Sequence, residues 1–276
     1  MDWLLLGTML GSGVIIGGLG VVLGIGGGAL MVPLLSVGLG VPVQSAVAAS
    51  LTSIIATSSA GAGFYLRRRL ANPRLAITLG VGTTFGGIVG GLIGVSVGRE
   101  LLTLLFALAL LAVAVLTWIR RHEGEHPMVI DIDEGQLGDT YYDQNLHLQV
   151  RYRIRRLPQG LGMSLFAGLS SGLLGIGGGV INVPSMVFIN EVPVKAAVAT
   201  SNLMLGFTAA VSAAIYYSAG FLDVRVTTAV TLGVFIGSFV GARRVPRLRI
   251  ALINDMLAVL FVVVAFLMLL HVAGYY

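Results

Sequence analysis

Residues 23–50 read LGIGGGALMVPLLSVGLGVPVQSAVAAS, and residues 174–201 read LGIGGGVINVPSMVFINEVPVKAAVATS. At a constant offset of 151, 15 of these 28 positions are identical without a gap. Chance would give about three matches in so skewed a composition. The chain therefore carries an internal duplication. Weaker matches continue at the same offset, pairing Tyr65 with Tyr216, Gly82 with Gly233 and Gly90 with Gly241.

The surrounding composition says what kind of duplication this is. Of 276 residues, 56% are apolar and only 11% are charged, with a mean hydropathy of +0.95. A soluble globular protein is nearer 45–50% apolar and about 25% charged. The figures exclude a soluble enzyme, a disordered chain and a coiled coil, and point to an integral membrane protein with many spans. No cysteine is present, which removes disulfides, thiolate metal sites and cysteine nucleophiles. The net charge of +5 does not indicate nucleic acid, because the basic residues form short clusters between apolar runs, as in membrane loops. The start, Met1-Asp2-Trp3, has no basic region, so no cleaved signal peptide is expected.

Apolar segments fall at 3–23, 28–40, 43–66, 75–97, 100–119, 160–174, 180–190, 194–219, 226–242 and 250–273. Continuous runs of this kind favour helices over the alternating strands of a barrel. The predicted fold is an all-α polytopic membrane protein. It has a first repeat over 1–119, a polar linker over 120–158 and a second repeat over 159–276, with about five helical elements per repeat. If each glycine-rich segment enters and returns on one side, 15 of the 17 Lys and Arg residues fall inside, and only Arg99 and Arg225 fall outside. Single crossings give 11 against 6. The first count favours an inverted-topology repeat with both termini outside and a cytoplasmic linker. Full hairpins and re-entrant ones remain equally compatible with it. Within the linker, LHLQVRYRI (146–154) alternates apolar and polar residues and suggests a small hairpin. A metal site built on His122 and His126 competes there with an ordinary solvated linker, which is the preferred reading.

The repeated GIGGG has a physical meaning. Glycines break a helix in mid-membrane, and such a break is tolerated only where it is buried in protein or lines a cavity. The half-helix that follows aims its amides and positive dipole end at that cavity. Two inverted copies bring two such ends to one site near the midplane, a design suited to an anion. The candidate cradle is Gly26, Gly27 and Gly28 with Gly177, Gly178 and Gly179. Neutral polar side chains nearby complete it: Asn182, Ser50, Thr52, Thr200, Ser201 and Asn202. Close GxxxG-type packing is the competing account of the glycines. Asp255 is a candidate proton carrier, with an interfacial pair to a nearby Arg as the preferred reading. Lys195 is a candidate guide for an anion, with an ordinary loop cation preferred, and Arg99 and Arg225 are candidates for substrate exit. No Walker loop, nucleophile–base pair or cofactor motif occurs, so no catalytic residue, cofactor or metal is predicted.

These pieces, GIGGGALMVP at 24–33, GIGGGVINVP at 175–184, VPVKAAVATSN at 192–202 and the central YYDQNLHLQVRYRIRRLPQG, resemble the TauE/SafE family of sulfite-exporter-like membrane permeases. The resemblance covers nearly the whole chain. It implies export of a small sulfur-containing anion, sulfite or an organosulfonate, across the cell membrane, with the glycine breaks and the TSN segment lining the path. Half one departs from the pattern, having Ala49-Ser50-Leu51 where half two has Thr200-Ser201-Asn202. An asymmetric site is therefore expected. The expected partners are the anion and the lipid bilayer, with self-association left open. An uncoupled anion channel and a non-transporting membrane scaffold are the alternatives.

Overall fold

Helix-forming apolar runs and glycine breaks alternate along the chain, and the computed structural model places a helix on each run it describes. Residues 3–120, 137–143, 148–244, 262–263 and 265–268 are described. In chain order the elements are α1 (Trp3–Leu23), α2 (Gly28–Pro33), α3 (Val43–Arg67), α4 (Pro73–Ser96), α5 (Arg99–Arg120), β1 (Asp139–Asp143), β2 (Leu148–Tyr152), α6 (Leu157–Leu174), α7 (Gly179–Phe188), α8 (Val194–Ser218) and α9 (Val224–Arg244). Among the described residues, five helices are long and apolar enough to cross a bilayer: α1, α3, α4, α8 and α9. The predicted segment 250–273 lies almost wholly outside the described residues.

Local chemistry explains the boundaries. Asn72 caps α4 by accepting from the Leu75 amide at 3.0 Å, with Pro73 at the first helical position. Its repeat equivalent, Asp223, caps α9 through the Arg225 and Val226 amides. Pro33 cannot donate to the α-helical ladder, and α2 passes there into a wider π turn, Leu34–Gly38. Backbones in the left-handed region also recur at the 151 offset: Gly24 and Gly175, Gly26 and Gly177, Gly27 and Gly178, Gly40 and Glu191, Arg69 and Gly220.

The helices pair reciprocally. The first helix of one half packs on the fourth helix of the other, α1 on α9 and α6 on α4. In the same way α3 packs on α9 and α8 on α4, while α3 and α8 pack on each other. The two halves are thus interlaced. Glycine sets the spacing of the two outer seams. A Cβ on Gly86 or Gly90 would overlap the Leu165 or Leu169 carbonyl oxygen, and one on Gly237 would overlap that of Val14. Gly82, Gly86 and Gly90 recur at intervals of four, as do Gly233, Gly237 and Gly241, so each helix offers a smooth ridge to its partner's backbone. GxxxG-type packing, weighed against the broken-helix reading for GIGGG, operates at these other glycines. Large apolar side chains face outward on the same helices, among them Ile77, Val81 and Phe85 on α4 and Phe235, Ile236 and Phe239 on α9. Contact with lipid rather than water accounts for that exposure.

The linker is not a solvated tether throughout. Strands β1 and β2 form an antiparallel hairpin in which Tyr141 pairs with Val150. Tyr141, Val150 and Tyr152 are buried in one cluster with Leu75, Ala76 and Leu79 of α4, Met186 of α7, and Ala196, Ala197 and Met204 of α8. The alternation in sequence gave the hairpin its apolar face, and the helix ends of both halves supply the surface that covers it. Burial raises the Tyr152 hydroxyl above the ordinary phenol range, its bond with Asn72 opposes the rise, and Asp139 adds to it. Asn72 also donates to the Leu137 carbonyl at 2.8 Å, which ties the hairpin to the α3–α4 turn. His122 and His126 lie outside the described residues.

Gly237→Ala should lower stability by about 1–3 kcal/mol, because backbone cannot yield to the added methyl. Gly7→Ala, where a Cβ meets nothing within 4 Å, should leave the melting temperature in detergent unchanged or slightly raised. Equal melting temperatures for the two variants would contradict the seam.

Candidate substrate site at the crossing of two glycine loops

The α1–α2 and α6–α7 loops meet. Gly24, Gly26 and Gly27 hold φ of 69°, 74° and 78°, and Gly175, Gly177 and Gly178 hold 67°, 78° and 31°. These are left-handed values that side chains resist. The loops also touch backbone to backbone. A Cβ on Gly28 would overlap the Gly175 carbonyl oxygen, and one on Gly179 would overlap that of Gly24. Glycine is thus required here twice, for conformation and for approach.

Two serines lock the crossing with the same symmetry. Ser50 Oγ donates to the Gly175 carbonyl at 2.7 Å, and its equivalent Ser201 Oγ donates to the Gly24 carbonyl at 3.1 Å. A hydroxyl has one proton, so these serines have lone pairs but no further donor to offer a ligand. What they do is cover the carbonyl lone pairs that face the opposite loop.

The amides divide into engaged and free. Ile25 and Gly26 donate to the Gly20 carbonyl, and Leu30 and Met31 donate to that of Gly27. In half two Gly175 donates to Ser171, Gly179 to Gly177, and Ile181 and Asn182 to Gly178. Among the described residues, the N–H groups of Gly27, Gly28 and Ala29 find no acceptor, nor do those of Ile176, Gly177 and Gly178. All six residues are buried.

Asn182 sits in the first turn of α7, 1% exposed, with its Nδ2 3.5 Å from where a Gly178 Cβ would stand. Its Oδ1 is buried and has no partner among the described residues. Met31 holds the equivalent place in half one, also buried. Asn202 lies beside the α1 end of the crossing, where its Nδ2 donates to the Val21 and Val198 carbonyls at 3.3 and 3.1 Å. Its own carbonyl accepts from Ser58 Oγ at 2.6 Å.

Two predicted residues stand apart. Thr52 is half-buried and bonds back to the Ala48 carbonyl of its own helix at 2.9 Å. Thr200 Oγ1 accepts from the Asn72 amide at 3.0 Å and so braces the α3–α4 turn. Asp255 is outside the described residues. A polar seam runs from the loop into α9 through Thr57 and through Ser238, the member that the sequence reading missed. Thr57 Oγ1 lies 3.4 Å from the Gly26 carbonyl, and Ser238 Oγ lies 3.2 Å from Thr57 Oγ1 and 3.0 Å from the Gly17 carbonyl. The signal was present in α9, where Ser238 adjoins Gly237 of the glycine ridge. Among the described residues no group of three His, Asp or Glu could hold a metal ion. No Asp, Glu, Lys, Arg or His occurs in residues 20–33, 47–58, 171–185 or 198–208, so the crossing is neutral.

Ser50→Ala and Ser201→Ala should each cost about 1–3 kcal/mol, by leaving a buried carbonyl without its hydroxyl donor. Thr52→Ala should cost little, which denaturation in detergent can compare. Neutral effects at both serines would refute the lock.

Comparison with known proteins follows the same lines. The profile of the family described as Sulfite exporter TauE/SafE matches residues 9–268. The Probable membrane transporter protein YunE of Bacillus subtilis is 22% identical over 242 residues, spanning 83% of this chain and 85% of its own. The Probable membrane transporter protein MamO of Magnetospirillum gryphiswaldense is 29% identical over 206 residues, which make up 68% of this chain but only 32% of that relative. MamO of Paramagnetospirillum magneticum is 27% identical, again over 32% of its length. No solved structure matches the chain. Because the family match takes in both glycine loops, the hairpin between them and nearly all the helices, this protein belongs to the TauE/SafE family.

Proposed function

We propose that the protein is a secondary transporter that exports a small sulfur-containing anion, sulfite or an organosulfonate, by alternating access. Family membership makes it a membrane transporter rather than an enzyme. The substrate class and outward direction come from the family's description. In this reading the halves are inverted repeats over 1–119 and 159–276, both termini lie outside, and the 120–158 linker is cytoplasmic in the cell membrane. The reciprocal helix pairing at the 151 offset supports a two-fold relation between the halves.

One observation carries the site. Among the described residues, six buried N–H groups, those of Gly27, Gly28, Ala29, Ile176, Gly177 and Gly178, lack acceptors where the two loops cross. Orphaned buried amides are rare and costly. An anion satisfies several at once, and the positive ends of the α2 and α7 segments favour it further. Ser50 and Ser201 then act as positioning residues. By donating to the Gly175 and Gly24 carbonyls they remove acceptor lone pairs that would repel an oxyanion. Asn182, whose Nδ2 stands beside Gly178, is the candidate side-chain donor to the ligand, and Asn202 holds the end of α1. Thr52 and Thr200 are given no contact with the anion. The neutral crossing favours the second reading, an uncoupled anion channel, in one respect: no titratable group is present there to carry a proton. Asp255 is the candidate for that role.

Purified protein in liposomes should take up one of sulfite, sulfoacetate, taurine, thiosulfate or sulfate with saturation, and a proton gradient should alter the rate if Asp255 couples. Asn182→Leu should reduce that flux about tenfold or more, the loss of about 1.5–3 kcal/mol of charge-assisted hydrogen bonding, while folded protein persists. Unchanged flux would remove Asn182 from the site. Unsaturable current without counterflow would favour the channel.

A further inference from the structure

A cavity of about 230 Å³ lies away from the glycine crossing, between the end of the π turn, the α2–α3 connection and the start of α5. Ser36, Gly40, Pro42, Arg99 and Thr103 are in its wall. At about 30 Å³ per water, it has room for roughly seven waters or one hydrated small oxyanion.

We propose that this cavity is a second anion-binding site, built around Arg99, which holds a small sulfate- or sulfonate-like oxyanion at the mouth of the pathway. The substrate class rests on the export reading above; the site itself does not.

Four features converge on the cavity. Arg99 is exposed and forms no ion pair among the described residues, although Glu100 follows it in sequence. A guanidinium without a carboxylate is a planar fork of five donors fitted to an oxyanion. Ser36 adds a hydroxyl that is buried and has no partner among the described residues. Thr103 is back-bonded to the Arg99 carbonyl at 2.8 Å and so braces the first turn of α5, which carries Arg99. Pro42 and Val43 then place the start of the 25-residue helix α3 at the same wall. Its positive dipole end reinforces the charge of Arg99.

The chemistry belongs to half one alone. At the 151 offset, Ser36, Arg99 and Thr103 correspond to Val187, Ile250 and Asn254. The three polar residues of this cavity wall are therefore peculiar to half one in sequence. In the export topology Arg99 lies at the outer face, where such a site meets the anion as it leaves. A phosphate headgroup of an acidic lipid offers similar oxyanion chemistry, and the test separates the two sources.

The chain has no cysteine, so one introduced thiol reports alone. Val41→Cys, with Val37→Cys as a second position should the first fail to fold, puts that thiol in the cavity wall. In neutral nanodiscs, a negatively charged sulfonatoethyl methanethiosulfonate should label it about tenfold faster than its trimethylammonium analogue, as local charge focusing allows. Sulfate or isethionate should slow the labelling. Arg99→Gln should bring the two rates together and abolish the protection, and Ser36→Ala should weaken the protection several-fold. Rates indifferent to Arg99→Gln, or no protection by either anion, would overturn the site. Protection by phosphatidylglycerol nanodiscs but by neither soluble anion would also overturn it, in favour of a lipid contact. The readout needs no transport. Protection without flux of any sulfur anion would sink the export reading and leave the site standing, whereas flux without protection would do the reverse.

Discussion

Two halves of one chain that break their helices inside an apolar bundle must give each other's backbone something to bond. The rest of the structure depends on how that is done at Gly24–Gly28 and Gly175–Gly179. Each loop presents a carbonyl to the other, and each half supplies a serine to cap it, Ser50 for Gly175 and Ser201 for Gly24. The carbonyls are satisfied by side chains, and the neighbouring amides are left over. That imbalance turns a structural defect into a region that favours negative charge without a single ionisable group. Neutrality has a use in lipid, since a permanent cation there is costly when the site is empty.

Much of this was legible in the residues. The gapless repeat of GIGGG fixed where helices end, and the helix bounds fall within a few residues of the apolar runs. The alternation in LHLQVRYRI gave the hairpin. Other features could not be read. A chain with 39 glycines hides the ridge of Gly233, Gly237 and Gly241 among glycines of no consequence such as Gly7. Only the facing backbone of α1 distinguishes them. The burial of Tyr141 and Tyr152 depends on Met186 and Met204, which are remote in sequence. Serines 50 and 201 were read as ligand donors because sequence shows a hydroxyl but not where its proton goes. Thr200 is engaged elsewhere for a related reason: its neighbour Ser201 faces the crossing, and one step around a helix turns a side chain through about 100° towards Asn72.

The duplication and its divergence divide the labour. Where the halves still match, they build the crossing, and contacts there come in pairs. Where they differ, as at Met31 and Asn182 or Leu51 and Asn202, one half contributes chemistry and the other contributes volume. A transporter needs both. Under the proposed alternating access, matched halves would give two arrangements of similar energy, and unmatched side chains would set what is carried.

The pairing of α1 with α9 also sets an order of assembly. During synthesis α1 enters the bilayer long before α9 exists, with its seam glycines Gly13 and Gly17 facing lipid. The first half therefore cannot close on itself. Its groove stays vacant until nearly the whole chain has been made, and the nascent protein is held open by its own topology. Insertion and folding are separated in time here, and any helix with a small-residue ridge that passes during that interval competes for the vacancy.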